Sequence, residues 1–69
     1  MSHSEILSPL TAAQRHVLGA RRIVAAQEAV VAAIQAEGGD ASDAMDVLRS
    51  FRQTLADFEA DVRRLSNSE

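Results

Sequence analysis

The sequence predicts an all-α fold, an antiparallel two-helix hairpin that dimerises into a four-helix bundle. With 69 residues, the chain is long enough for one small domain at most. Its single proline and its single glycine pair leave two long segments that contain no strong helix breaker. Apolar residues recur at heptad spacing in both segments, which is typical of helices that pack along one seam.

The first helix is expected to begin at Pro9, with Ser8 as its N-cap. A serine hydroxyl can accept a hydrogen bond from the first turn, and proline suits the first helical position because its missing N–H is not needed there. Thr11 offers a second cap within the same turn, so the sequence leaves two possible starts.

The glycine pair Gly38-Gly39 predicts the turn, because glycine readily adopts the left-handed conformation that ends many helices. Asp40 is the predicted N-cap of the second helix. The predicted order is a flexible tail at 1–7, a helix over about 9–37, a turn at 38–40, a helix over about 41–65 and a tail at 66–69, with the domain spanning 8–65.

The predicted seam matches large residues with small ones. Folding at the glycine pair brings Phe58 opposite Ala20 and Leu65 opposite Ala13, as interdigitated packing requires. The a and d positions are Leu10, Ala13, Val17, Ala20, Val24, Gln27, Val31 and Ile34 in the first helix, and Ala41, Ala44, Leu48, Phe51, Leu55, Phe58, Val62 and Leu65 in the second.

The first helix has a wider apolar face than one neighbouring helix can cover. Ile23 and Val30 stand at g positions, in line with His16. A single two-helix seam is also a small core for a chain of this size. We therefore predict a homodimer, with a helix from a different protein as the competing partner. The predicted dimer interface consists of Val17, Ile23, Val24, Gln27, Val30, Val31 and Ile34.

Gln27 is a polar residue at a central d position of this seam. Such a residue can fix the register of a dimer by bonding to its mate in the other chain. Alternatively, its side chain reaches solvent at the edge of the bundle.

Composition excludes several classes of function. Without cysteine there is no disulfide framework and no thiolate zinc site. The net charge of −3 and the lack of Trp and Tyr argue against nucleic-acid binding. No apolar stretch is long enough to span a membrane, and no signal peptide is recognised, so a cytoplasmic location is expected. No set of nucleophile, base and orienting residue is present, so neither an enzyme nor a cofactor is expected.

Four carboxylates gather near the predicted turn, at Glu37, Asp40, Asp43 and Asp46. Their spacing matches no calcium-binding loop. Favourable interaction with the helix dipole and with solvent explains them without a metal ion.

His16 is the candidate functional residue. A histidine on the face of a helical bundle suggests phosphotransfer, although the lysine usual near such a histidine is missing beside Arg15. The competing interpretation is a buried or half-buried histidine that pairs with Asp61 or with a backbone carbonyl.

Residues 4–11, Ser-Glu-Ile-Leu-Ser-Pro-Leu-Thr, resemble the H-box of sensor histidine kinase dimerisation domains. Ser4 stands where those domains have the phosphorylated histidine, and His3 lies one place out of register. This resemblance implies a decoy or competitor hairpin that lacks kinase activity.

A second resemblance covers about half of the chain. The ordered series is Arg15-His16-Val17, Arg22, Ile23, Gln27, Gly38-Gly39-Asp40, Ala44, Leu48 and Phe51. It resembles a set of small alpha-proteobacterial proteins of the rhizobial type. The resemblance implies a small intracellular helical protein and carries no particular activity. We therefore expect a non-enzymatic protein that acts through protein–protein contact, and the alternative is a signalling hairpin that uses His16 or mimics the H-box.

Overall fold

The computed structural model describes residues 8–68, which form two helices joined by a short turn. Helix α1 spans Pro9–Ala36 and helix α2 spans Ser42–Ser68. The two helices pack against each other, and Glu28 meets Arg52 near the middle while Arg21 meets Glu59 towards the open end, so they run antiparallel. The predicted all-α hairpin is confirmed. The predicted tail at 1–7, Ser4 and His3 lie outside the described residues.

Helix α1 begins at the predicted cap. The Ser8 hydroxyl oxygen accepts a hydrogen bond from the backbone N–H of Thr11 at 3.0 Å, and the Ser8 carbonyl accepts from Ala12 N–H at 3.0 Å. Pro9 follows in the first turn, where it lacks only a donor that the helix does not use. The alternative start at Thr11 is therefore not used.

Both glycines of the turn are required, for different reasons. Gly38 has φ of +78°, in the left-handed region that other residues avoid. A Cβ on Gly39 would lie 3.0 Å from Ile34 Cγ2 and 3.3 Å from the Ile34 carbonyl oxygen, so this backbone passes close to the end of α1. The N–H of Gly39 donates to that same carbonyl at 2.9 Å, which satisfies an acceptor that the helix end leaves open.

The start and the end of α2 differ from the prediction. The first helical hydrogen bond runs from Met45 N–H to the Ala41 carbonyl at 2.8 Å, so α2 begins at Ser42 and not directly after Asp40. Asp40 still closes the helix start, because its Oδ1 accepts from the Ser42 hydroxyl at 2.6 Å and from the Ser42 N–H at 2.9 Å. At the other end, α2 continues to Ser68, so residues 66–68 are helical and do not form the predicted tail.

The core is a single narrow seam between the two helices. Its buried residues all occupy predicted a or d positions, and among the described residues no large side chain is less than 2% exposed. The molecule measures 53 × 26 × 13 Å, so it is about one helix thick. The buried residues are Ala13, Val17, Ala20, Val24, Val31, Ala41 and Leu48.

Asp40→Ala is expected to lower the thermal midpoint at neutral pH, because the Ser42 N–H and hydroxyl lose their acceptor. Hydrogen bonds from the Ser42 hydroxyl and then from its backbone N–H lower the pKa of the folded Asp40 carboxyl. A lowered pKa in the folded state means that the stabilisation is complete above the unfolded pKa of about 3.9 and is lost as pH falls through the folded pKa.

Thermal melts of the wild type and of Asp40→Ala from neutral pH down to about pH 2 check this. The difference between their midpoints should shrink below about pH 4, and Asp40→Asn, which keeps an acceptor oxygen, should lose less at neutral pH. A midpoint difference that is the same at both ends of the pH range would contradict the assignment.

Candidate functional site

The two edges of the seam differ in chemistry. One edge carries ion pairs between the helices, from Arg21 to Glu59 at 3.6 Å and from Arg52 to Glu28 at 2.9 Å. The opposite edge carries no ion pair between the helices among the described residues. It is formed by the g positions of both helices, and we call it the apolar edge after the valines and isoleucine in its middle: His16, Ile23 and Val30 of α1 with Val47, Thr54 and Asp61 of α2.

Large apolar side chains are exposed along the apolar edge. Ile23 is 49% exposed, Val30 is 46% exposed and Val47 is 43% exposed. The antiparallel register sets Val30 level with Val47 and Ile23 level with Thr54. These side chains therefore form one continuous apolar strip along the hairpin and are not scattered surface residues.

A groove of about 250 Å³ opens on this edge between the helices. Phe51 and Phe58 are half-buried and line it from α2, while His16, Gly19 and Ile23 line it from α1. A Cβ on Gly19 would meet nothing within 4 Å. The groove is open at this level partly because Gly19 has no side chain to fill it.

His16 is exposed, so its prediction as a buried or half-buried residue is wrong. Its ring packs on Phe58, with centroids 5.1 Å apart and planes at 34°. Asp61, the predicted partner of His16, instead bonds to Arg64 at 2.9 Å. The cause is the g position of His16, which lies beside the seam and directs the ring along the face of Phe58.

Gln27 does not reach solvent at the edge of the bundle, which was one of its two predicted roles. Its Nε2 donates a hydrogen bond to the Ala44 carbonyl at 2.9 Å, and the side chain is half-buried. The amide therefore bridges the two helices of one chain, and its predicted bond to a mate in a second chain stays a prediction.

The seven predicted interface residues divide into three sets. Three of them face α2 of their own chain, which already covers them, so little of their surface is left for a partner. Two are half-buried in the same seam, and only the remaining two are exposed. The covered residues are Val17, Val24 and Val31, the half-buried ones are Gln27 and Ile34, and the exposed ones are Ile23 and Val30.

Three exposed apolar residues were not predicted from the sequence: Val47 is 43% exposed, Met45 on the ion-pair edge is 44% exposed and Leu18 is 54% exposed. Val47 occupies the g position of α2, so comparing the g positions of both helices would have found it. Leu18 lies on a different surface, in a shallow depression that Arg21, Glu59 and Arg63 border with charge.

The carboxylates near the turn are engaged locally. Asp40 accepts from Ser42, and Asp46 accepts from Arg49 at 2.8 Å. Within residues 8–68, no group of three or more side chains is arranged to hold a metal ion. Neither of the two described helices is long and apolar enough to cross a membrane.

Comparison with protein families, curated proteins and solved structures gives no match for this chain. The resemblances read from the sequence therefore stay predictions. Any function must be inferred from the geometry of the chain itself, and its most distinctive feature is the apolar edge.

Gln27→Ala is expected to lower the free energy of unfolding by about 1 kcal/mol, because the hydrogen bond to the Ala44 carbonyl is lost. Gln35→Ala makes the same chemical change at an exposed position of the same helix and should alter stability by only a few tenths of a kcal/mol. Urea titrations followed by circular dichroism measure both. Equal effects of the two substitutions would show that the bond across the seam contributes nothing.

Proposed function

We propose that this protein is a non-enzymatic helical protein that acts through protein–protein contact, and that it forms a homodimeric four-helix bundle through its apolar edge. One observation carries the proposal. Ile23, Val30 and Val47 are exposed side by side on a hairpin that is only about one helix thick. A domain normally buries such a strip against a second layer of secondary structure.

The other edge supports this assignment of the contact surface. There the side chains of Arg21 and Arg52 already meet carboxylates of the facing helix, so charge is satisfied within the chain. At the apolar edge three of the corresponding positions, Ile23, Val30 and Val47, hold exposed side chains that water solvates poorly. Covering the strip removes apolar area from water, at about 25 cal/mol for each Å².

The chemistry of the groove favours contact over catalysis. Among the residues that line it, His16 is the one with an ordinary catalytic side chain, and its ring packs on Phe58. Thr54 is the one hydroxyl residue in the lining, and its Oγ1 donates to the Ser50 carbonyl of its own helix at 3.2 Å. This arrangement offers no nucleophile next to a base and supports a binding role.

Ile23→Asp should leave a chain that is monomeric and largely unfolded. The dimer contact would bury the new carboxylate without an opposite charge to compensate for its lost hydration. Light scattering gives the mass and circular dichroism gives the helix content. Ala29→Asp is the matched control, since it puts the same carboxylate at an exposed position on the outer side of α1. An Ile23→Asp variant with unchanged mass and helix content would exclude this interface.

A phosphotransfer hairpin is the second candidate, and two observations favour it. The His16 imidazole is exposed, and the space above Gly19, three residues further along α1, is open. A histidine that receives a phosphoryl group from an aspartyl phosphate needs both accessibility and room for the incoming domain.

Incubation with a phosphorylated response regulator tests this candidate. Transfer should give an acid-labile phosphate on the wild type and none on His16→Ala, with circular dichroism to confirm that the variant is helical. No transfer to the wild type, or equal transfer to the variant, would remove the candidate.

A further inference from the structure

The occupant of the apolar edge follows from the pattern of residues along α1. We infer that it is a second copy of this chain, related by a two-fold axis that passes near Ala26, so that each α1 packs antiparallel on the α1 of the other copy. The inference rests on the proposed homodimer and specifies its arrangement. It excludes the parallel arrangement, in which both hairpin turns lie at the same end.

This face of α1 is self-complementary, because its residues fit those of a second α1 that runs in the opposite direction. The g positions of α1 and its C-cap are His16, Ile23, Val30 and Glu37, and the neighbouring c positions are Gly19, Ala26 and Ala33. Reversal about a point between Ala26 and Gln27 sets Ile23 of one copy against Val30 of the other, and it brings Gly19 to within one residue of the level of Ala33. Branched side chains then meet branched ones, and small residues meet small ones. A two-fold interface needs this kind of self-complementary surface.

The charged residues near the two ends of α1 favour the same arrangement. The same reversal brings Arg15 and His16 of one copy to the level of Glu37 of the other. Within the described residues, neither Arg15 nor Glu37 takes part in an ion pair. Arg15 stands at an f position but lines the groove at the apolar edge; in a parallel dimer it would be level with its own copy, and Glu37 would be level with Glu37. Opposite charges therefore favour the antiparallel arrangement, and like charges oppose the parallel one.

The distribution of charge along the whole hairpin also favours the antiparallel arrangement. Residues 37–46 around the turn contain four carboxylates and no basic side chain. Five of the seven arginines lie towards the other end of the hairpin: Arg15, Arg21, Arg22, Arg63 and Arg64. An antiparallel dimer sets each acidic turn beside the arginine-rich end of the other copy.

Helix α2 supports the same arrangement. The register that sets Ile23 level with Thr54 and Val30 level with Val47 on this edge sets Ala26 at about the level of Phe51. A two-fold axis at that level packs α2 on the α2 of the second copy. Val47 of one copy then lies within about one helical turn of Phe58 in the other. The exposed valine thereby covers the groove whose floor Phe51 and Phe58 form.

The size of the contact is adequate. Helix α1 has 28 residues, which corresponds to about 42 Å of length. Two helices side by side are about 20 Å wide, so one face of the hairpin offers on the order of 800 Å². That is the area that each partner contributes to a stable interface of standard size. A second copy also gives the hairpin the second layer that it lacks.

Single cysteine variants test the arrangement, because the wild-type chain has no cysteine to interfere. Under oxidised glutathione, Ala26→Cys should form a disulfide-linked dimer on a non-reducing gel, since position 26 meets its own copy. Gly19→Cys and Ala33→Cys should each cross-link poorly alone and efficiently when mixed. Ala29→Cys, on the outer side of α1, is the control and should cross-link at least tenfold more slowly than Ala26→Cys.

Other outcomes overturn the inference. Efficient self-cross-linking of Gly19→Cys or Ala33→Cys would indicate parallel α1 helices, and cross-linking of Ala26→Cys no faster than Ala29→Cys would remove the two-fold axis from Ala26. Sedimentation of the reduced variants separates the two levels of the proposal. A dimer that gives the wrong cross-links contradicts only this arrangement, whereas a monomer contradicts the homodimer itself.

Discussion

The structure depends on one constraint: two helices form a single layer, and a single layer cannot bury all sides of either helix. Each helix of the hairpin has one neighbour in its own chain, and that neighbour covers one stripe of side chains. Helix α2 is strongly amphipathic and directs most of its large apolar residues to the seam, while Met45 and Val47 are exposed. Helix α1 is less so, because apolar or small residues occupy most of its circumference. The hairpin therefore has a covered seam and an uncovered apolar edge.

The two edges of the seam satisfy their side chains differently. Exposed ion pairs such as Arg52 to Glu28 each contribute only a few tenths of a kcal/mol to the free energy of unfolding. They nevertheless give the charged side chains of this edge a partner within the same chain. The apolar edge differs, because Ile23 and Val30 interact unfavourably with water and would be stabilised by packing against another apolar surface. Contact with another helical surface, which is the role that we propose, would cover these side chains.

The sequence was sufficient to predict features whose cause is local. Ser8 before Pro9 predicts the start of α1, and the glycine pair predicts the turn, because capping and left-handed backbone depend on neighbouring residues. The heptad positions predict the seam for the same reason. The start of α2 was one residue off, since Asp40 acts on Ser42 from outside the helix and Ala41 provides the first carbonyl.

Features that depend on the relative positions of the helices were not predicted. Gln27 bonds to the carbonyl of Ala44, a residue seventeen places away that the heptad pattern pairs with Ile34. His16 was predicted to pair with Asp61, whereas the structure packs it on Phe58. Position in a heptad predicts which side of a helix a residue occupies, but the tilt and spacing of two helices decide which atom it touches.

The most direct test of this account is the thermal midpoint of the wild-type chain over a hundredfold range of protein concentration, followed by circular dichroism. If folding requires a second layer from another copy, the midpoint rises as concentration rises, because association and folding are linked. A sharp cooperative melt with a midpoint that does not depend on concentration, from a species of 7.4 kDa, would show that the hairpin is stable alone and would contradict the account.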